Sequence, residues 1–312
     1  MPNEIGIIYY CEGAGHAMRT LAVAQQLEKR GLEVKMTGGG PGEKFLKLNG
    51  RSDFSPTVIK PGTRMHSEGL ISALTHLPGN LVQRARDINS WLKENDPDIV
   101  LADGPLAAFV ASLTRRRFYF LNHWDWKLPE SSVEKLNTFF VNSILSFRAE
   151  KIFSPAIWED ISDRAIRVGP LAPEGGEKNP ELDILVVPTD LGDVTEKIVE
   201  ELESEGYNTV KVGSEDWTHQ PSLQPYLKEA DYVVCSGYST IMEASVAGTP
   251  VIIVPYTSEQ RGIAKSLDGK QGFRKFSGDI LQDLEQVGPV RQYENGAIHI
   301  AEEIAENLEK RS

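Results

Sequence analysis

The sequence predicts an α/β protein with two Rossmann-like domains facing a central cleft. Short β-branched runs alternate with helical spacing along most of the chain, a pattern typical of parallel sheets covered by helices. A loop rich in Pro, Gly and Glu (GPLAPEGGEKNP) interrupts this alternation at residues 169–180. The 312 residues suffice for two cores. We therefore expect domains at 1–168 and 181–312, joined by a linker at 169–180.

In the first domain, apolar runs predict strands at Ile5–Tyr10, Glu33–Met36, Pro56–Ile59, Ile99–Ala102, Phe118–Leu121 and Lys151–Phe153. Helical spacing predicts helices at His16–Arg30, Leu81–Lys93, Leu106–Thr114 and Val133–Phe147. The first of these helices follows the first strand directly and ends at Gly31, so the loop between them is a candidate binding loop.

The second domain repeats the alternation. Strands are predicted at Leu182–Val187, Thr209–Val212, Tyr232–Cys235 and Val251–Val254, and helices at Val194–Ser204 and Thr240–Ala247. The last segment, Ala297–Leu308, carries its apolar residues on one helical face. Such a helix must pack on another surface, and the first domain is a candidate for that surface.

Composition excludes several classes of protein. The net charge of -12 argues against broad binding to nucleic acid. No apolar run approaches the ~20 residues that a membrane-spanning helix needs. The amino terminus, MPNEIGIIYY, lacks the basic region and the cleavage site of a signal peptide, so we expect a cytoplasmic location. The two cysteines, Cys11 and Cys235, cannot form a disulfide framework.

The first glycine-bearing loop, Cys11–Arg19, lies between a strand and a helix. Its glycines, Gly13 and Gly15, let the backbone approach an anion at the helix amino terminus. A dinucleotide fingerprint would need a third glycine in place of Met18, so NAD binding is not expected. His16, in the first turn, is placed to take a proton from a bound hydroxyl. A capping or packing role for His16 is an equal alternative.

The second loop, Cys235–Ala244, also joins a strand to a helix. Gly237 permits the turn, and the hydroxyls of Ser239 and Thr240 can cap the helix or donate to phosphate oxygens. Glu243 lies one turn further on, within reach of a ribose diol. An ordinary capping box is the alternative explanation, because Ser or Thr followed by Glu three residues later is a common helix start.

Together these motifs resemble a known family. The carboxy-terminal segments Ala230–Ala244, Ala247–Pro250 and Glu259-Gln260 resemble the donor site of GT-B glycosyltransferases, and are similar to UDP-glycosyltransferases and lipid-linked N-acetylglucosaminyl transferases. The amino-terminal motif resembles a subgroup of bacterial and archaeal glycosyltransferases and also UDP-sugar hydrolases; it reads Gly13-x-Gly15-His16-x-x-Arg19. The resemblance covers nearly the whole chain and implies a GT-B fold.

The resemblance also implies roles for the donor-site residues. The pyrophosphate would be held by Gly237, Ser239 and Thr240, and the ribose hydroxyls by Glu243. Hydroxyls of the donor sugar would contact the pair Glu259-Gln260, where the family usually has Asp in the first position. Tyr238 stands where the family often has Gly or Ala, so it makes the loop bulkier or stacks on the base or sugar.

In the first domain, the resemblance implies that His16 is the general base. Asp103 matches an aspartate that orients this histidine in plant-type relatives, although Asp-Gly-Pro after a strand is also ordinary turn chemistry. Gly13, Gly15 and Arg19 would form an acceptor or phosphate loop.

No metal or cofactor is expected, and the sugar nucleotide is a substrate. Asp96-Pro97-Asp98 has the D-x-D spacing of metal-dependent transferases, but it precedes a strand and is predicted to be a turn. The acceptor is open: a lipid-linked acceptor, with peripheral association at the inner face of the membrane, is one candidate, and Pro61–Pro78 is its candidate contact segment.

Three functions stay open at this stage. The leading one is a metal-independent, inverting transfer of sugar from an NDP-sugar, with UDP favoured, to an acceptor hydroxyl in glycan or cell-envelope synthesis. A UDP-sugar hydrolase would use His16 to activate water. A non-catalytic subunit that binds sugar nucleotides is the third.

Overall fold

A computed structural model of the chain describes residues 4–10, 14–51, 55–56, 70–122, 148–159, 164–175, 181–188, 193–212 and 221–310. Its two sheets contain only parallel strand pairs within these ranges. Helices connect many of the successive strands, as is common for parallel pairs. The predicted α/β class with two Rossmann-like sheets is confirmed.

The first sheet has seven strands in the order β3-β2-β1-β4-β5-β6-β7. Its strands are β1 Glu4–Ile8, β2 Glu33–Gly38, β3 Ser55–Pro56, β4 Ile99–Asp103, β5 Phe118–Leu121, β6 Ile152–Pro155 and β7 Ile166–Val168. The helices described in this half are α1 Ala14–Glu28, α2 Pro41–Leu48, α3 Leu70–Asn95 and α4 Pro105–Leu113. The predicted helix Val133–Phe147 lies outside the described residues.

The second sheet has five strands in the order β12-β11-β10-β8-β9. Its strands are β8 Ile184–Val187, β9 Thr209–Lys211, β10 Tyr232–Cys235, β11 Val251–Ile253 and β12 Phe273–Lys275. The helices are α5 Asp193–Ser204, α6 Gln224–Glu229, α7 Tyr238–Ala247, α8 Ser258–Leu267, α9 Ile280–Val287 and α10 Gly296–Glu309.

The central strands explain why these sequences form buried sheets. All five residues of β4 and all four of β5 are buried, and both strands are rich in the β-branched and aromatic residues that favour sheets. Apolar side chains of α1, including Leu21 and Leu27, are also fully buried. A helix buried over most of its surface is a rigid support for residues at its amino terminus.

The carboxy-terminal helix α10 returns to the first sheet, packing against α1 and β7. Asn295, its N-cap, binds the backbone of Ala172 in the connecting segment through two hydrogen bonds of 2.6 and 3.3 Å. Asn307 donates to the hydroxyl of Tyr119 on β5 at 2.7 Å. The last helix therefore ties the two halves together. None of the helices within the described ranges is long and apolar enough to cross a membrane.

Candidate active site

The strand order places both predicted loops where parallel sheets commonly bind ligands. In the first sheet the order reverses between β1 and β4, and in the second between β8 and β10. A crevice forms at the carboxyl ends of strands at such a reversal. The helix α1 follows β1 and α7 follows β10, so their amino termini lie at these two positions.

His16 and Asp103 meet at the first reversal. The Nδ1 atom of His16 lies 2.9 Å from Oδ2 of Asp103, the last residue of β4. The carboxylate is fully buried, whereas the imidazole is 22% exposed. The ring of Tyr10 meets the imidazole edge to face, with centroids 5.0 Å apart. The side chain of Asp103 points at His16, and the following residue, Gly104, is the N-cap of α4.

Arg19 completes this cluster from the next turn of α1. Its Nε donates to Oδ2 of Asp103 at 3.2 Å, and its Nη2 donates to Oδ1. The guanidinium is 3% exposed. Its Nε and Nη2 donors are directed at the buried carboxylate of Asp103, and the predicted acceptor or phosphate role of Arg19 stays a prediction. We call His16, Arg19 and Asp103 the base cluster.

The base cluster keeps Asp103 ionised. Burial alone would raise the pKa of Asp103, but the charge of Arg19 and the charge and hydrogen bond of His16 hold this pKa at about 2. An ionised Asp103 is an acceptor only, so it can receive a proton donor from Nδ1 of His16. The Nε2 atom of the same ring is then the basic nitrogen.

The donor loop begins helix α7 without a side-chain cap. Gly237 is the N-cap, in an extended conformation, and no side chain caps the first turn. The capping-box explanation for Ser239, Thr240 and Glu243 is therefore wrong. The backbone N–H groups of this turn are the orphan donors of a helix start, which suit an anion.

Tyr238 bridges the two halves of the chain. Its hydroxyl donates to the carbonyl of Pro155, at the end of β6, at 2.9 Å. Its ring lies 5.2 Å from that of Trp158, measured between centroids. Burial raises the pKa of the Tyr238 hydroxyl above its usual value. In this structure Tyr238 packs on the first domain, so its predicted contact with a base or sugar would require it to move.

The amino termini of α1 and α7 touch. A methyl group built on Gly15 would lie 1.9 Å from Oγ and 2.8 Å from Cβ of Ser239. Only glycine at position 15 permits this approach. The predicted base and the predicted phosphate loop therefore face each other across a closed cleft.

Glu243 is buried below the donor loop, with 3% of the residue exposed. Burial raises its pKa to about 8, although a backbone hydrogen bond from Leu223 opposes the shift. Thr240 is similarly covered, at 7% exposed. The structure thus places both residues in the second-domain half of the cleft, beneath its surface.

Glu259 and Gln260 lie in the first turn of α8, after the strand next to β10. Gln260 forms a capping box with Thr257: its Oε1 accepts from Thr257 N at 3.0 Å, and its backbone N donates to Thr257 Oγ1 at 3.2 Å. The amide nitrogen of Gln260 is not used by this box and can face a sugar hydroxyl.

Some predicted features lie elsewhere. Gly13 lies outside the described residues, as do residues 61–69 of the candidate lipid segment. Asp96 and Asp98 occupy the predicted turn between α3 and β4, where Asp98 accepts a hydrogen bond from the backbone of Glu4. Among the residues that the structure describes, no cluster of side chains suits a metal ion.

Sequence reasoning missed two contributors. The first is the pairing of Arg19 with Asp103. Its one sequence signal is the three-residue spacing of His16 and Arg19, which places both on one face of α1. Trp158 had no signal, because it reaches Tyr238 only when the two domains meet.

Comparisons with known proteins find related sequences and a related fold. Residues 194–278 match the Glycosyltransferase family 28 C-terminal domain. A Caenorhabditis elegans protein described as a UDP-glucuronosyltransferase is 29% identical over 73 residues, which are 23% of this chain and 14% of that protein. The chain therefore spans a small part of this curated relative.

Solved structures extend the likeness to the whole chain. The glycotransferase of kitacinnamycin has a TM-score of 0.68 at 16% identity, covering 99% of this chain and 100% of its own. The Streptomyces sp. SF2575 glycosyltransferase SsfS6, solved with thymidine diphosphate, has a TM-score of 0.63 at 14% identity, covering 99% and 96%. The fold of the whole chain is therefore that of the GT-B glycosyltransferases, and residues 194–278 are similar to the carboxy-terminal domain of glycosyltransferase family 28.

Proposed function

We propose that this protein is a glycosyltransferase that moves a sugar from a nucleoside diphosphate sugar to an acceptor hydroxyl. The observation that carries the proposal is the position of the base cluster opposite the amino terminus of α7. The contact between Gly15 and Ser239 brings a proton acceptor and an anion-binding helix start to the same cleft. These are the two groups that this displacement needs.

The proposed reaction is a single displacement. Nε2 of His16 takes the proton of the acceptor hydroxyl while the acceptor oxygen attacks the anomeric carbon. The bond from that carbon to the diphosphate oxygen breaks, and the nucleoside diphosphate leaves with the electron pair. One displacement inverts the anomeric configuration. Asp103 stabilises the imidazolium that forms, as a buried aspartate does in other His-Asp pairs.

The leaving group is handled by the second domain. The backbone N–H groups of Gly237–Thr240 and the positive end of the α7 dipole would stabilise the charge on the diphosphate. This arrangement needs no metal ion. The thymidine diphosphate bound by SsfS6 and the UDP-sugar chemistry in the name of the Caenorhabditis relative support a nucleoside diphosphate donor. We favour UDP on the resemblance of the donor loop.

The roles of the remaining donor residues are part of the proposal. Glu243 binds the ribose hydroxyls, and Glu259 with Gln260 binds the donor sugar. For Glu243 this requires the covering residues to separate, since its carboxyl is buried in the closed cleft. A lipid-linked acceptor of cell-envelope synthesis, reached by peripheral attachment at the membrane, fits the same chemistry.

Water could take the place of the acceptor at His16, which would make the protein a UDP-sugar hydrolase. A binding subunit would hold the sugar nucleotide without turnover. Release of nucleoside diphosphate from a panel of NDP-sugars, with and without candidate acceptors, separates the three. A transferase should release nucleoside diphosphate at least about tenfold faster when an acceptor is present. A hydrolase should release it at the same rate with or without an acceptor, and a binding subunit should release none.

His16→Ala tests the site itself. Loss of a general base lowers turnover by about 10²- to 10⁴-fold, while donor binding measured by calorimetry is retained. Glu243→Ala should instead weaken donor binding. His299→Gln, on the exposed side of α10, is the matched control for loss of a histidine. If His16→Ala and Glu243→Ala both leave binding and turnover intact, the site is assigned wrongly.

A further inference from the structure

Arg19 has a role that the proposed reaction does not yet use. It is an almost fully buried cation, 3% exposed, whose Nε and Nη2 both bind Asp103. A buried ion pair of this kind is rarely retained for stability alone, because desolvation offsets most of the attraction. The guanidinium also reaches the catalytic ring, since Nη2 lies 2.7 Å from Nδ1 of His16.

The two contacts at Nδ1 exclude each other as hydrogen bonds. A guanidinium only donates and a carboxylate only accepts, and Nδ1 has one in-plane position. If Nδ1 carries the proton, it donates to Oδ2 of Asp103 and Nε2 is the base. If Nδ1 accepts from Arg19, the proton sits on Nε2, which then cannot take a proton from an acceptor.

The carboxylate decides between these states. With Nδ1 unprotonated, Oδ2 would face the nitrogen lone pair at 2.9 Å inside a buried site. Arg19 already has two acceptors, because its Nε and Nη2 are matched to the two oxygens of Asp103. This two-point contact fixes the carboxylate plane, and so keeps Oδ2 in front of Nδ1.

We propose that Arg19 is a positioning residue that holds His16 in the tautomer with the proton on Nδ1, by clamping the Asp103 carboxylate. The proposal rests on the proposed function, in which Nε2 is the general base. It assigns Arg19 to the proton-transfer machinery.

Other groups face the cluster from each element packed around it. Tyr10 presents its ring to His16 from the segment after β1. The guanidinium of Arg84, on α3, donates to the carbonyl of Tyr9 at 3.2 Å. From α7, Tyr238 contributes a neutral hydroxyl, because burial raises its pKa and the charge of Arg19 opposes this shift only in part. None of these groups is an anion. Within the described residues, Asp103 is therefore the anion that contacts His16.

The tautomer is measured directly by NMR of protein with ¹⁵N-labelled histidine, in which long-range couplings identify the protonated ring nitrogen. Comparison with His16→Gln assigns the signal of His16 among the six histidines. The wild type should show Nδ1–H as the main neutral form. Arg19→Met, which removes the clamp at similar size, should raise the Nε2–H share to about half or more, because Nδ1 then lacks a fixed acceptor and an unconstrained imidazole favours the proton on Nε2.

Activity supplies a second readout. We expect Arg19→Met to lower kcat about 10- to 100-fold, below the ~10⁴-fold cost of a wholly wrong tautomer, with the donor KM little changed. The acid limb of its pH profile should move to higher pH, because the general base His16 loses a neighbouring cation that opposes its protonation. Arg19→Lys keeps the buried positive charge but loses the two-point contact with Asp103, so it should recover part of kcat. His299→Gln should match the wild type in every measurement.

An Nδ1–H share that is unchanged or higher in Arg19→Met overturns the proposal, since Arg19 would then be neutral or competing for Nδ1. Arg19→Lys gives the same test if Arg19→Met does not fold. Failure of the proposed function looks different: the wild type would release no nucleoside diphosphate, while the tautomer of His16 would still respond to Arg19.

Discussion

At the scale of single residues, Asp103 and Glu243 are buried carboxyl groups in opposite environments. Arg19 and His16 hold the pKa of Asp103 at about 2, whereas burial raises that of Glu243 to about 8. One is therefore charged and the other mostly neutral near pH 7. These states fit the proposed roles, since a charged group orients an imidazole and a neutral carboxyl can both donate to and accept from a diol.

Asp103→Asn should lower the free energy of unfolding by about 3–5 kcal/mol at pH 7, because it leaves Arg19 as an uncompensated buried charge. The folded-state pKa of Asp103 is depressed, so its contribution is complete above the unfolded pKa of about 3.9 and is lost as the pH falls towards 2. Urea unfolding at pH 7 and pH 3 measures the change. The exposed pair of Asp96 with Arg116 supplies the control: Asp96→Asn should cost less than about 1 kcal/mol.

Glu243→Gln should show the opposite pH dependence. The folded-state pKa of Glu243 is raised, so the protonated form is favoured and stability falls as the pH rises from about 4.5 to about 8. The variant should be more stable than the wild type by about 1–3 kcal/mol at pH 7.5 and equally stable at pH 4. Urea unfolding at both values measures this. Equal stability at pH 7.5 would mean that Glu243 is already charged there without cost.

At the scale of elements, helix α8 combines structural and proposed binding roles in one side chain. Gln260 caps the helix through its oxygen, while its amide nitrogen is proposed to bind the donor sugar. Gln260→Glu keeps the capping oxygen and removes the donor. It should leave thermal stability unchanged and weaken donor binding about 10-fold, the cost of one polar contact.

Thr257→Ala tests the converse case, in which helix capping is lost and donor binding is kept. It removes the N-cap and should lower stability by about 1 kcal/mol, with little change in donor binding. Calorimetric titration with the NDP-sugar that is turned over, together with thermal unfolding, measures both variants. A Gln260→Glu variant that binds the donor normally would remove Gln260 from the donor site.

Most elements with strong apolar runs could be predicted from the sequence. Phe118–Leu121 and Tyr232–Cys235 have the predicted bounds as β5 and β10, because continuous burial leaves a clear apolar signature. Short polar elements could not: β12, at Phe273–Lys275, has three residues and one buried side chain. The helix start at Thr257 did carry a capping signal, but its Gln260 was interpreted only as a ligand.

At the scale of the whole molecule, the two-domain architecture and the residues of the base cluster follow from sequence patterns, but their contacts do not. Asp103 is 87 positions from His16, and Tyr238 is 83 positions from the Pro155 carbonyl that it binds. Local propensity says nothing about such pairs. They depend on strand order and on how the two domains close, which only the assembled structure defines.

Closure of the cleft depends on the glycine at position 15. In Gly15→Ala the new methyl group would lie 1.9 Å from Oγ and 2.8 Å from Cβ of Ser239, so Oγ must rotate away and the contact with Cβ pushes the helix termini apart. We expect a larger radius of gyration by small-angle X-ray scattering and a drop in turnover of about 100-fold, because small displacements of catalytic groups are costly. Loss of the Tyr238 contact with Pro155 should accompany the opening, since both lie on the same interface.

The double variant Gly15→Ala with Ser239→Gly tests whether this contact is the cause. Among the described residues, the two atoms that a Cβ at position 15 would meet both belong to the Ser239 side chain, so glycine at position 239 removes that clash. The double variant should regain the wild-type radius of gyration, although activity stays low if Ser239 binds the diphosphate. Ser239→Gly alone should leave the radius unchanged. If Gly15→Ala is as compact and active as the wild type, the closed cleft is not the arrangement in which the protein works.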